Sequence, residues 1–225
     1  MDRWSSKHMM AGTLFAVGLS LGACTQLLGI EPLGEGDRAP DASTPRADAR
    51  PSSDGPSLPD AAFRQPMLWV NSFGRNAGGW LVEHHPRMMA DVDGDGRQDV
   101  VGFASAGVLV SLATGSSFTA PQLWVNEFGY DAGDWRVERH PRMMADVNGD
   151  GQQDVVGFAS AGVVVSLSTG SSFTGSQPGV SGFGYDAGGW RVEHHPRMMA
   201  DVNGDGQQDV VGFADAGVVV SVAIP

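Results

Sequence analysis

The sequence has one cysteine in 225 residues, so no disulfide can form within a single chain and paired-thiol chemistry is excluded. Positive charge is scarce: 14 Lys and Arg stand against 26 Asp and Glu, a formal net charge of −12, which argues against a nucleic-acid partner because phosphate binding needs the opposite sign. Outside the first 24 residues no window shows a helical hydrophobic period, which excludes a helical bundle. There is no nucleophile elbow and no phosphate loop, so an enzyme is not expected; recurring His and Glu side chains are the one pairing left by composition for acid–base chemistry. Glycine is abundant at 32 residues, which suits short strands joined by tight turns. Ten aspartates fall in three short loops, and three Ca²⁺ ions there would add six charges and move −12 to −6.

Residues 1–24 read as an export signal: Arg3 and Lys7 give a positive start, and Met9 to Leu21 is apolar but too short for a stable membrane span. The stretch ends in Leu21-Gly22-Ala23-Cys24, which resembles the lipobox of bacterial lipoproteins. Cys24 would then be acylated and become the mature N-terminus, holding an exported protein at the bacterial cell envelope or surface without spanning the membrane. An ordinary signal peptide with an incidental cysteine is the plainer alternative. Residues 25–65 are rich in Pro, Asp, Ala, Ser and Gly and cannot bury enough surface to offset chain entropy, so a disordered spacer is expected.

Residues 66–225 repeat. Asp91, Asp146 and Asp201 recur at a period of 55 residues, as do Trp80, Trp135 and Trp190, and Phe73, Phe128 and Phe183. Each unit reads as β: Arg87–Ala90, Asp99–Phe103, Gly107–Leu112 and Leu123–Asn126 are expected strands, about one propeller blade. The fold class expected is all-β, with three four-stranded propeller-type blades forming an incomplete propeller or one completed by oligomerisation. The third unit runs through Gly217–Ser221 to Val222-Ala223-Ile224-Pro225 with no fourth strand, while Leu68-Trp69-Val70-Asn71 is a fourth strand with no blade before it. That segment is expected to complete the last blade of a neighbouring copy, most simply in a six-bladed dimer; a truncated product with open edges is the alternative.

Asp91, Asp93, Asp95 and Asp99 occupy positions 1, 3, 5 and 9 of a nine-residue loop, with Arg97 offering its carbonyl at position 7. The second loop has Asp146, Asn148, Asp150, Gln152 and Asp154, and the third Asp201, Asn203, Asp205, Gln207 and Asp209. Six to eight hard oxygens suit Ca²⁺, and the glycines let the chain wrap the ion. An EF-hand is rejected, because its position-12 Glu is here Gly102, Gly157 or Gly212 within a β-rich segment. Aspartates that merely cap turns are the bland reading.

The loop running into DVVGF resembles the FG-GAP or VCBS repeats of integrin α-chain propellers. The wider unit FGYDAGGWRVEHHPRMMADVNGDGQQDVVGF, followed by GVVVS, is similar to the repeats of the Psathyrella velutina lectin family, over residues 67–225. That resemblance implies a calcium-containing, seven-bladed propeller binding N-acetylglucosamine and related sugars between blades; three blades depart from it. The residues it would place at sugar are Trp80, His85 and Arg87 in the first unit, Tyr130, Asp131, Trp135, His140 and Arg142 in the second, and Tyr185, Asp186, Trp190, His195 and Arg197 in the third. An aromatic face beside Asp, His and Arg suits a sugar's C–H face and hydroxyls. The plainer alternatives are that the tryptophans fill space between blades, the histidines are hydrogen-bonded at strand starts, and the arginines pair with acidic groups across blades. Glycans or glycoconjugates are the expected partners; a protein-binding adhesion module is the alternative, and an accessory domain of an enzyme a third reading.

Overall fold

The computed structural model describes residues 63–224. The expected signal segment 1–24 with Cys24, residues 25–62 of the expected linker, and Pro225 lie outside the described residues. Three sheets follow one another along the chain. The first has the order β1 (Arg87–Ala90), β2 (Asp99–Ala104), β3 (Gly107–Ser111) and β4 (Gln122–Val125). The second has β5 (Arg142–Ala145), β6 (Asp154–Ala159), β7 (Gly162–Ser166) and β8 (Gln177–Pro178), and the third β9 (Arg197–Ala200), β10 (Asp209–Ala214) and β11 (Gly217–Ser221). Every pairing is antiparallel, so each sheet is a meander of the propeller-blade type. β5 lies against both β1 and β9, which sets the three blades side by side through their first strands.

The central strand of each blade explains this stacking. In β2 the alternation places Asp99, Val101 and Phe103 on one face and Val100, Gly102 and Ala104 on the other, and both faces are largely covered. A sheet covered on both faces needs a near-continuous apolar run, which DVVGFA supplies. Between the first two blades pack Phe103, Val108, Val110, Phe128, Trp135 and Val155; between the second and third pack Phe158, Val163, Phe183, Trp190 and Val210. Phe103 and Phe158 are fully buried, whereas Phe213, the same position in the third blade, is 40% exposed. Each such phenylalanine gains about 1.5–3 kcal/mol on burial, and the third blade forgoes part of that.

The third sheet has three strands, as its sequence indicates. One expectation is corrected: Leu68–Asn71 is not a strand, because among the described residues no strand edge lies beside it to pair with. Its neighbour contacts are nevertheless those of β4. Phe118 N–H donates to the Trp69 carbonyl at 3.4 Å with the rings 5.6 Å apart, and Phe173 N–H donates to the Trp124 carbonyl at 3.4 Å with the rings 5.1 Å apart.

Candidate functional site

The three aspartate loops join the first strand of each blade to its second. Left-handed φ values of 76° at Gly94 and 84° at Gly96 turn the chain back on itself, which a side chain would resist. Asp91 accepts the N–H groups of Gly94 and Gly96 through its two oxygens, each at 2.8 Å, and Asp146 and Asp201 do the same in their loops. Asp99 is fully buried and accepts from Val92 N–H at 3.1 Å and Ala113 N–H at 2.7 Å; Asp154 and Asp209 repeat this staple. Asp91, Asp93 and Asp99 bring carboxylate oxygens within 4.8 Å of one another. Burial, reinforced by Asp150 and Asp146, pushes the Asp154 carboxyl up to about 6 against the pull of its two backbone donors, and burial likewise raises Asp99. Such a set of hard oxygens with uncompensated negative charge fits a divalent cation of the Ca²⁺ class. The position-7 side chains differ. Arg97 pairs with Asp95 and donates to the Ala113 carbonyl, whereas Gln152 is half-buried and Gln207 buried, each with its Oε1 buried and unpartnered.

The crevices between blades hold the other set. Phe73, Phe128 and Phe183 adopt φ of 59°, 60° and 57°, a strained conformation for a bulky residue. The strain is held by Arg87, Arg142 and Arg197, whose Nη1 groups donate to those phenylalanine carbonyls at 2.9, 3.0 and 2.9 Å. Trp80, Trp135 and Trp190 are buried, each lying on the glycine of its own central strand. His85, His140 and His195 accept a backbone N–H through Nδ1 and bond Ser105, Ser160 and Asp215 through Nε2. Burial first, then neighbouring cationic groups, holds His85 and His140 below the ordinary imidazole range. Arg142 and Arg197 are buried with Nε and Nη2 unpartnered, and burial, with Arg136 beside it, pushes the Arg142 guanidinium down to about 10. Tyr130 lies against the Arg136 guanidinium at 3.7 Å and the His84 ring at 4.0 Å; Tyr185 lies against Arg191 at 3.7 Å and Arg139 at 5.0 Å. Asp131 and Asp186 are exposed beside them.

The structure adds residues that ligand spacing does not point to. Gln153 Oε1 accepts from Asp91 N–H at 3.0 Å and its N–H donates to the Asp91 carbonyl at 2.7 Å, clamping one blade's loop to the next blade; Gln208 and Asp146 repeat the clamp at 3.1 and 2.7 Å. Glutamine recurs at position 8 of every loop, as Gln98, Gln153 and Gln208, which is the signal that could have shown it. Gly179, in place of Trp124, lines an apolar groove of about 350 Å³ between the second and third blades.

Residues 146–212 match the FG-GAP-like repeat family. Among solved structures, an Agrocybe aegerita lectin that specifically recognises non-reducing terminal N-acetylglucosamine matches with 43% identity and a TM-score of 0.68, over 70% of this chain and 40% of the lectin. This chain thus spans about two-fifths of that lectin's length. A Photorhabdus luminescens Tc holotoxin pore matches with 18% identity and a TM-score of 0.47 over 61% of this chain and 6% of that one, too remote to inform the site. No curated protein sequence matches the chain. The chain carries an FG-GAP-like repeat, and its folded blades are similar to part of that N-acetylglucosamine-recognising lectin.

Proposed function

We propose that the folded blades bind carbohydrate of the N-acetylglucosamine class in the crevices between blades, with Ca²⁺ in the three aspartate loops as a structural ion. The 43% identity to the lectin over 70% of this chain is the observation that carries the sugar reading. The exposed carboxylates of Asp131 and Asp186 lie beside Tyr130 and Tyr185, where they can accept from sugar hydroxyls. Asp91, Asp93 and Asp99, with their counterparts in the other loops, would hold the cation, which supplies positive charge where buried carboxylates otherwise repel. The chain is read as exported by residues 1–24 and held at a bacterial envelope through acylated Cys24. Repeated crevices favour multivalent binding, where avidity exceeds single-site affinity by about 10²–10⁴. The test is a glycan array with the purified chain, in calcium and after chelation. Binding to terminal N-acetylglucosamine that free sugar competes away is expected; silence from a folded, calcium-loaded sample would refute the sugar reading.

A further inference from the structure

Each junction between blades is made by the same pairs of contacts, and the outer surfaces of the first and third blades carry the unmatched halves of those pairs. β3 pairs with β4 in the register Val108↔Val125, Leu109↔Leu123 and Val110↔Gln122. In the third blade the matching edge, β11, is bare among the described residues, and Val218 is 60% exposed where Val108 is buried. At the other end Leu68 is 81% exposed, although Trp69 is already seated on Phe118. The clamp that ties Asp91 to Gln153 and Asp146 to Gln208 leaves two halves over: the exposed Asp201 backbone, and Gln98, which makes no hydrogen bond among the described residues. Arg142 lies 5.4 Å over Phe103 and Arg197 5.4 Å over Phe158, which among the described residues leaves Arg87 without a phenylalanine of a preceding blade and Phe213 without a guanidinium.

The residues that differ between repeats sharpen the match. The turn Ala104-Ser105 receives the N–H groups of Tyr130 and Asp131, and Ala159-Ser160 receives those of Tyr185 and Asp186. At the two bare ends the corresponding residues are Asp215, with its side chain 97% exposed, and Arg75, also exposed. Serine is replaced by an acid and tyrosine by a base only where no blade faces them, so the ends are complementary in charge as well as in apolar shape.

We propose that a second copy of this chain docks head to tail on these ends, its Leu68–Asn71 segment adding the fourth strand to β11. The register is Val218↔Val70, Val219↔Leu68 and Val220↔Met67, with Gln98 of one copy clamping Asp201 of the other and Arg75 facing Asp215. The three described blades of each of two copies make six, within the about 4–8 of closed propellers, and such a ring contains this junction twice. Closure is independent of sugar binding, and its tests need no sugar.

Light scattering on the purified full chain should give twice the 23.5 kDa of one chain; a single-chain mass at micromolar concentration overturns the proposal. In the full chain carrying Cys24→Ser, which removes the natural thiol, L68C/V219C should oxidise to a covalent dimer while either single variant does not. A cross-link that stays within one chain overturns the proposal as well. Both positions are exposed, so these variants leave the fold of each blade untouched. R75E or D215K alone should weaken the dimer about ten-fold, because like charges then meet, and R75E/D215K should restore it. A double variant no tighter than the weaker single one would remove the assigned pairing.

Discussion

Gly157→Ala is the sharpest test of how each tryptophan is held. A Cβ at Gly157 would lie 2.3 Å from Cη2 of Trp135, 2.8 Å from its Cζ3 and 2.9 Å from Cε1 of Phe128. Carbon atoms rest at about 3.5–4.0 Å, so the indole would have to move by more than 1 Å. It has nowhere to go: Gly133, with φ of 101°, lies against the other edge of the ring, and a Cβ there would meet Nε1 at 2.9 Å. Overpacking of a core costs about 1–3 kcal/mol, and a ring enclosed on both edges belongs at the upper end. At about 2–4 °C per kcal/mol for a folded region of this size, Gly157→Ala should lower the melting temperature by roughly 6–12 °C. Gly182→Ala is the control, because its backbone is not left-handed and no atom lies within 4 Å of the added methyl. It should stay within about 0.5 kcal/mol of the parent. Thermal melts of the two variants by circular dichroism decide the matter: equal shifts would refute the packing of Trp135 on the strand glycine.

Three other perturbations separate the roles assigned here. Gln153→Ala removes the acceptor for the half-buried Asp91 N–H and should cost about 1–3 kcal/mol in urea unfolding, whereas a value near zero would deny the clamp between blades. Asp150→Asn keeps an oxygen for the Gln152 N–H, so stability in chelator should change by less than about 0.5 kcal/mol, while the rise in melting temperature on adding calcium should shrink; an undiminished rise would remove Asp150 from the ligand set. His140 titrates below its ordinary 6.5 because burial favours the neutral ring. Its contribution is therefore complete above about pH 6.5 and is lost as pH falls through the folded value. Between pH 7.5 and 5.5 this loss opposes the gain from the raised Asp154 carboxyl, so the comparison with the parent decides: His140→Gln should lose less melting temperature, or gain more, over that interval than the parent, and a parallel slope would place the titration elsewhere.

Strand positions were legible because period-2 alternation and the tight glycine turns survive in all three repeats; β1 and the starts of β2 and β3 fall where the sequence places them. The fourth strand was not equally legible. A strand is a pairing, and Leu68–Asn71 has the composition of one without an edge to pair with, while β8 shrinks to Gln177–Pro178, ending just before Gly179. Among site residues, loop spacing identified the acids but not their division of labour. Asp99 and its counterparts serve as backbone staples as much as candidate ligands, and that depends on donors 7 and 14 residues away. The glutamine clamp was invisible for the same reason: it links residues 62 apart. Tryptophan burial was undecidable from sequence, since the same residue type serves a core and a sugar platform.

These assignments narrow what remains for recognition. A histidine with both ring nitrogens bonded and a tryptophan buried on glycine have little left to offer a ligand without unfolding the turn they hold. The free polar capacity lies with Asp131 and Asp186, and its surroundings differ between junctions. Tyr130 meets the imidazole of His84, whereas the same place on Tyr185 is taken by the permanent cation of Arg139. Tyr185 therefore carries two guanidinium groups, Arg191 and Arg139, where Tyr130 carries one, Arg136, and an imidazole. Near-identical repeats thus yield unlike crevices, because the residues that differ are those that face the next blade. Affinity at the two junctions should differ for that reason, even where every consensus residue is present in both.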